Sequence, residues 1–196
     1  MAITKILHIN EVDTGNPARH LEQALDYIQN PEKTNGNVLV GSLNCLPETA
    51  FEQMLDTKET FGKMNKRQGY HVIISFVPGE ATEEIAFDVV ERFAKEYLKD
   101  EYEVVYAVHN DKNHLHAHLI FNSVNLVTGV KYEYRSINDI RMAMKPLLFD
   151  NAVNNAKLAM RTSEIVGILW HQGESDCSNE LYPTYQDRFE TMMKAL

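Results

Sequence analysis

Cysteine and long apolar runs are both scarce in this chain. Its 196 residues include two cysteines, Cys45 and Cys177, which lie far apart in the sequence and form no metal-binding pair. We therefore predict no disulfide and expect a reducing, cytoplasmic setting. No apolar run approaches the roughly 18 residues that cross a bilayer, and the first residues lack the layout of a signal peptide. A membrane partner is not expected.

Positive charge is scarce as well. The chain has 19 Lys and Arg residues against 28 Asp and Glu residues, which gives a formal net charge of −9. Because Lys and Arg drive phosphate binding, this balance argues against a generic nucleic-acid coat protein. It leaves room for an enzyme that holds nucleic acid through a local basic strip and a metal ion. Two groups are candidate strips, although ordinary solvated surface charges would look the same: Lys63, Lys66 and Arg67, and Lys131, Arg135, Arg141 and Lys145.

Histidine, by contrast, is concentrated in one stretch. Four of the eight histidines lie within residues 109–122. His116 and His118 are separated by one residue, so on a strand their side chains share a face. They could bind one metal ion, with His109 as the third ligand. His114 has the same parity as His116, so spacing does not choose between His109 and His114. Three imidazoles with vacant positions are typical of a catalytic metal site.

Alternating and helical apolar periods predict an α+β fold with a central antiparallel sheet and helices packed on one face. The 103–109 and 115–122 segments read as a hairpin whose second strand has an apolar face and a histidine face. We expect the helices to cover the apolar face and leave the histidines on the open one. The other predicted strands are 3–9, 38–43, 70–77 and 165–169. Helices are predicted up to about residue 29, over 47–66, after Thr82, from about residue 136, over 147–161 and from about residue 182.

A nucleophile must accompany such a metal. The sequence has no Ser-His-Asp order, no Walker loop and no zincin motif. Tyr27 lies roughly 110° from the centre of the buried stripe of its predicted helix, at the edge of the buried face and free to project. A tyrosine hydroxyl, with a pKa of about 10, is a poor nucleophile unless a cation, a base or a metal assists it. Most lone tyrosines at such positions only pack.

Three motifs in order resemble those of relaxases, the mobilisation nucleases of conjugative and mobilisable elements. They are ALDYIQNPEKT, YHVIISFVPGE and His-x-Asp-x-x-His-x-His-x-His-x-x-x-Asn, within residues 1–142. The resemblance implies a tyrosine that attacks single-stranded transfer-origin DNA and forms a 5′-phosphotyrosyl link. It also implies a divalent metal at the scissile phosphate, Mg²⁺ or Mn²⁺, with Zn²⁺ as an alternative. Accessory mobilisation proteins are further candidate partners.

Carried over by position, the resemblance implies particular roles. Tyr27 is the implied nucleophile, and His116, His118 and His109 are the implied ligands. Asp111 would orient a ligand without binding the metal itself. His71 and Ser75 of the middle motif would line the DNA site. Further candidates around the metal and the DNA are Lys33, His114 and Asn122.

A second resemblance begins near residue 147. The run from Ile168 to Asp176, ILWHQGESD, is similar to SGNH-type carbohydrate or sialate O-acetylesterases, in which Gln172 would help to form the oxyanion hole. The nucleophilic serine of that family is missing, and an oxyanion donor alone does not make a hydrolase. We expect a relaxase-like domain over 1–145 joined to a partial α/β segment over 146–196 that is not an independent domain and packs poorly or leans on a sheet edge.

Three other functions stay open. A replication-initiator-type nuclease also uses a histidine pair and a tyrosine, but such initiators place the tyrosine after the histidines. An inactive chimera carrying the esterase fragment is the second alternative. A binding module that has lost its activity is the third.

Overall fold

The structure is a computed structural model that describes residues 3–13, 15–161, 190 and 194. The chain divides into two units, Ala2–Leu147 and Leu148–Leu196 with Met1, and the first contains the sheet and the four histidines of residues 109–122. Among the described residues, no helix is long and apolar enough to cross a membrane. The predicted strand over 165–169, Gln172 and most of the predicted last helix lie outside the described residues, and so does the predicted poor packing of that tail.

Five strands form one sheet in the order β1-β3-β5-β4-β2, and every neighbouring pair is antiparallel. The prediction of an antiparallel α+β fold is confirmed, including the hairpin of β4 and β5. Because β5 lies in the centre, the histidine stretch is flanked by a strand on each side. The strands are β1 (Ile3–Asn10), β2 (Val40–Leu43), β3 (Arg67–Ser75), β4 (Val104–His109) and β5 (His116–Asn122).

Four α-helices accompany the sheet in the described residues. They are α1 (Arg19–Ile28), α2 (Ala50–Thr60), which follows a single 3-10 turn over Pro47–Thr49, α3 (Glu83–Leu98) and α4 (Ile137–Ala159). Thr82 caps α3 as predicted, since its hydroxyl accepts the Ile85 N–H at 3.3 Å. The α2 helix ends before the expected residue 66. Gly62 has a φ of +64°, a left-handed conformation that stops a helix.

The helices cover both faces of the sheet, so the expectation of helices on one face was wrong. On the apolar face, Phe87 of α3 packs against Tyr106, with ring centroids 5.4 Å apart. On the histidine face, α1 and α2 form a core cluster with apolar strand residues such as Val105 and Ile120. The physical reason is that β4 and β5 carry apolar side chains beside the histidines on that face. The histidines lie at one end of that face.

Candidate active site

Tyr27 lies over the histidines at the last turn of α1. The buried stripe of α1 is Leu21, Leu25 and Ile28, which anchors the helix to the sheet, and Tyr27 is 45% exposed beside it. The centroid of its ring is 5.3 Å from that of His109 and 5.7 Å from that of His118, both in edge-on contacts. The helical phase thus leaves the tyrosine accessible while holding it against two buried imidazoles.

His109 holds the end of the helix that carries Tyr27. Its Nε2 lies 3.0 Å from the Ile28 carbonyl oxygen, and the histidine is 2% exposed. A carbonyl oxygen can only accept, so Nε2 donates its hydrogen there, and Nδ1 is the nitrogen that keeps a lone pair in the neutral ring. The bond also satisfies a carbonyl that the end of α1 would otherwise leave unpaired. His109 therefore fixes the position of the neighbouring Tyr27.

His118 occupies the centre of the cluster. Its ring centroid lies 4.3 Å from that of His109, and its Nδ1 lies 2.9 Å from Nε2 of His71. The β3–β5 register places His71 and Ser75 on the same face as His116 and His118, as the alternation of β3 predicts. The sequence could reveal the shared face, but it gave no sign of the direct bond between His71 and His118.

His116 belongs to a more accessible pair. Its ring centroid is 4.2 Å from that of His114 and 6.2 Å from that of His118, and both His114 and His116 are half-buried. The register sets His116 opposite Ser75 on one side and opposite His109 on the other. The predicted ligands thus share one face, but their rings fall into a buried group around His118 and an outer pair.

The protonation state of the imidazoles suits a divalent metal. Burial, together with the neighbouring imidazoles, lowers the pKa of His118 to about 2 and that of His71 to about 4. Burial also lowers the pKa of His109 and of His116. All four rings are therefore neutral at neutral pH, the form that coordinates a metal. Within the described part of the chain, however, no three His, Cys, Asp or Glu side chains converge on one point that could hold a metal ion.

Lys33 connects the tyrosine motif to the histidine motif. Its ammonium lies 4.3 Å from the centroid of the Tyr27 ring and 3.8 Å from a carboxylate oxygen of Asp111. Its carbonyl accepts the main-chain N–H of Asn110 at 3.0 Å, and the Asn110 amide donates to Glu83 at 2.7 Å. The loop after β4 is thus tied to the segment after α1. Asp111 pairs with Lys33 in this arrangement, which the sequence did not reveal.

Asn122 lies in a buried hydrogen-bond network and not among the ring contacts of Tyr27, and its expected place near the metal or the DNA stays a prediction. It is 0% exposed, and its amide donates to Glu103 at 2.5 Å and to the Met54 carbonyl at 3.1 Å. Thr57 donates to the other Glu103 oxygen at 2.6 Å. Lys58, also 0% exposed, donates to the same Met54 carbonyl at 3.2 Å. The physical reason is position: Asn122 ends β5, on the same face as His118 but away from Tyr27.

The basic residues partly regroup in the fold. Lys63 and Lys66 of the first predicted strip line a groove together with Lys131 of the second and with Phe61. Lys131 donates to the main-chain oxygen of Arg67 at 3.0 Å. Burial is the main cause that lowers the pKa of Lys131, and the nearby charges of Lys63, Lys66 and Arg67 also lower it. We call Lys63, Lys66 and Lys131 the basic groove. It concentrates positive charge on a chain whose net charge is −9.

Comparison with known proteins decides the family. The model of the MobA/VirD2-like relaxase nuclease domain matches residues 27–147, a stretch that includes the candidate site from Tyr27 onward. The chain belongs to this relaxase family. A second model, that of the sialic acid-specific acetylesterase family of carbohydrate esterases, matches residues 135–196, which include Gln172. The join predicted near residue 145 remains a prediction.

Curated relatives of this relaxase are longer proteins. A protein named rlx from Staphylococcus aureus is 42% identical over 91 residues, which cover 46% of this chain and 28% of that one. The group II intron-interrupted relaxase LtrB of Lactococcus lactis is 31% identical over 144 residues, which cover 60% of this chain and 26% of that one. The relaxase chain thus spans between a quarter and a third of the length of these two relatives.

A solved structure shares the fold. It is described as the molecular basis of vancomycin resistance transfer in Staphylococcus aureus, and it superposes with a TM-score of 0.53 at 13% identity. The superposition covers 79% of this chain and 94% of that chain. At this identity the likeness concerns the fold alone.

Proposed function

We propose that this relaxase domain nicks single-stranded transfer-origin DNA at a specific site and strand, for the mobilisation of a plasmid or another mobile element. Tyr27 is the proposed nucleophile. The observation that carries the proposal is the placement of Tyr27, which is 45% exposed and lies in edge contact with two buried histidines. Its position upstream of the histidines also favours a relaxase over a replication-initiator-type nuclease. Accessory mobilisation proteins are proposed as partners that bring the DNA to the enzyme.

The proposed reaction is a transesterification. The Tyr27 hydroxyl oxygen bonds to phosphorus, and the bond from phosphorus to the 3′ oxygen breaks. The products are a 5′-phosphotyrosyl link and a DNA end with a free 3′-hydroxyl. The phenol gives up its proton and the departing 3′ oxygen gains one, so atoms and charges balance. Because one phosphodiester replaces another, no energy-rich cofactor is needed and the step is reversible.

The neutral imidazoles supply the proton and ligand chemistry. His118 and His109 are the rings closest to Tyr27, and each is neutral at neutral pH because burial lowers its pKa. We propose that His109, His116 and His118, which share one face of the sheet but whose rings do not converge on one point in the described structure, would reorient to hold a divalent metal. When bound, such an ion would supply Lewis-acid polarisation of the scissile phosphate. Imidazole donors suit transition metals better than Mg²⁺, so Mn²⁺ and Zn²⁺ belong in the assay beside Mg²⁺.

The remaining candidates would act on the phosphate and the strand. Lys33 holds a positive charge 4.3 Å from the Tyr27 ring centroid, where it would stabilise the phosphate as it is attacked. Asp111 would hold Lys33 in place through their ion pair. Ser75, directly opposite His116, and His114, beside it, would contact the DNA on the accessible side of the histidine face.

A covalent adduct tests the proposal. Single-stranded oligonucleotides tiled across the transfer origin of the element that carries this gene are incubated with the protein and Mg²⁺, Mn²⁺ or Zn²⁺. We expect a protein–DNA adduct on a denaturing gel that is lost in Tyr27→Phe and on chelation. Tyr134→Phe is the matched control, because Tyr134 packs against His8 on the opposite face of the sheet. An adduct that survives Tyr27→Phe, or DNA binding without any adduct from the wild type, would contradict the proposal.

A further inference from the structure

The bond between His71 and His118 joins two buried side chains on neighbouring strands. Their Nε2 and Nδ1 atoms are 2.9 Å apart, and the residues are 7% and 5% exposed. In the sheet, Ile73 stands opposite His118 and His71 stands opposite Ile120, so the two histidines are diagonal neighbours. With its Nε2 engaged and its ring buried, His71 is poorly placed to line a DNA surface.

One hydrogen atom lies between these two nitrogens when both rings are neutral. If His71 donates it, both nitrogens of His118 are committed: Nδ1 accepts, and Nε2 carries the hydrogen of the neutral ring. If His118 donates it, Nε2 of His118 keeps a free lone pair. Only the second arrangement lets His118 act through Nε2 as a metal ligand or a base.

The neighbouring histidine is oriented in a comparable way. His109 donates its Nε2–H to the Ile28 carbonyl, so its Nδ1 keeps the lone pair. The ring centroids of His109 and His118 are 4.3 Å apart under Tyr27. A hydrogen bond to the other ring nitrogen commonly fixes the tautomer of a ligating histidine. The hydrogen-bond partner of His109 is the Ile28 main-chain oxygen, and that of His118 is the ring of His71.

We propose that His71 is a positioning residue that accepts the Nδ1–H of His118 and so keeps the lone pair of His118 Nε2 free in the site beneath Tyr27. The inference rests on the proposed function, because it gives His118 its role there. It replaces the expectation that His71 lines the DNA site. His71 itself touches neither DNA nor metal in this assignment.

The tautomer of His118 is measured directly by long-range ¹H–¹⁵N NMR of the metal-free, DNA-free Tyr27→Phe protein at neutral pH. A His118→Gln sample identifies the signals. We expect Nδ1 of His118 to be the protonated nitrogen and Nε2 of His71 to be unprotonated. The reverse pattern overturns the proposal. Because no DNA takes part and the nucleophile is absent, the result is independent of whether the proposed nicking reaction occurs.

Two variants of His71 separate positioning from packing. His71→Gln keeps an oxygen that can accept the hydrogen bond, whereas His71→Leu fills the site without an acceptor. By isothermal titration with Mn²⁺ or Zn²⁺, we expect His71→Leu to bind about 10- to 100-fold more weakly and His71→Gln to stay near the wild type. Thermal unfolding of each variant verifies that it is folded.

His8→Leu is the matched control. His8 lies on β1, on the opposite face of the sheet, where its ring packs on Tyr70. We expect His8→Leu to bind metal as the wild type does. Equal metal affinity in His71→Leu and wild type, or equal losses in His71→Leu and His71→Gln, would contradict the positioning role. If the DNA adduct fails to form while the tautomer and the metal affinities behave as described, the proposed nicking fails and the role of His71 stands.

Discussion

Two polar clusters lie on the same face of the sheet, at opposite ends of β5. At one end, His118 and its neighbours lie under Tyr27. At the other end, Asn122, Glu103 and Thr57 form a buried network with Lys58 close by. The two clusters differ in what their polar atoms contact. Thr57 and Asn122 donate to both carboxylate oxygens of Glu103, whereas among the described contacts His118 bonds through Nδ1 only.

That difference separates a stabilising cluster from a chemical one. A satisfied buried network holds elements together, here α2 with the strands, and losing one member leaves the others unpaired. A ring with a spare lone pair under an accessible tyrosine adds less to folding and is free to act on a substrate. The comparison therefore predicts opposite outcomes for substitutions at the two ends of β5.

The largest expected effect is on activity at the histidine end. In His118→Gln, adduct formation should fall by about 10²- to 10⁴-fold, the usual contribution of a positioned acid–base group. The free energy of unfolding should change by less than about 1 kcal/mol in the metal-free protein, because Gln still offers polar partners to His71. Single-turnover adduct kinetics and urea titration measure the two quantities. A large loss of stability with normal adduct kinetics would show that His118 stabilises the fold and does not act in the reaction.

The next effect is on stability at the other end. Glu103→Leu should lower the free energy of unfolding by about 3 to 5 kcal/mol, because it removes the acceptor that Asn122 and Thr57 share and the negative charge that favours the buried Lys58 ammonium. The double variant Glu103→Leu with Lys58→Met should recover part of the loss, since it removes the unpaired charge. Urea titration measures both. If Glu103→Leu is as stable as the wild type, the network around Glu103 does not stabilise the fold.

The pH dependence of stability sharpens the same contrast. Burial lowers the pKa of Lys58 from 10.5 to about 7 in the folded protein. Between those values the unfolded chain binds more protons than the folded one, so stability should rise with pH from about 7 toward 10. Lys58→Met should remove most of that slope. An unchanged slope in Lys58→Met would show that Lys58 does not titrate in this range.

Much of this fold follows from local patterns, and the parts that do not are long-range. Alternation predicts β5 and its pairing with β4, and helical phase predicts the edge position of Tyr27. Local pattern does not predict the burial of Lys58, because a lysine on an amphipathic helix normally faces solvent. Here the charge of Glu103, 45 positions along the chain, favours the buried ammonium. Asn122 ends a motif, and its motif position alone predicts a site residue. Register alone distinguishes its end of β5 from that of His118.

The site was predictable in composition and less so in detail. The spacing of His116 and His118 gives their common face, but the ring of His118 lies closer to those of His109 and His71, on the neighbouring strands, than to that of His116. Lys33 contacts Tyr27 of one motif and Asp111 of another. These contacts depend on how two loops pack against each other. Such contacts are set by the sheet order and not by any local period.

A smaller effect is expected at Lys33. Lys33→Gln should slow adduct formation by about tenfold, because a positive charge near the attacked phosphate is lost while the site remains. Lys95→Gln is the matched control, since Lys95 pairs with Glu91 on the exposed side of α3. Adduct rates at saturating DNA measure the effect. Equal rates for the two variants would remove Lys33 from the chemistry.

The smallest effect is expected at the basic groove. If Lys63 and Lys66 each contact a phosphate of single-stranded DNA, the double variant with Ala should flatten the slope of log affinity against log salt by about 1.4. Fluorescence anisotropy at several salt concentrations measures it. The adduct rate at saturating DNA should not change. An unaltered slope would indicate that these lysines only face solvent.

The covalent link of Tyr27 to DNA can be observed directly by mass spectrometry of the adduct after digestion by a protease and a nuclease. We expect a peptide containing Tyr27 that carries the mass of a 5′-linked nucleotide on that tyrosine. A nucleotide on any other residue would rule out Tyr27 as the nucleophile. An intact DNA strand recovered from a bound, metal-loaded wild-type protein would rule out the nicking reaction.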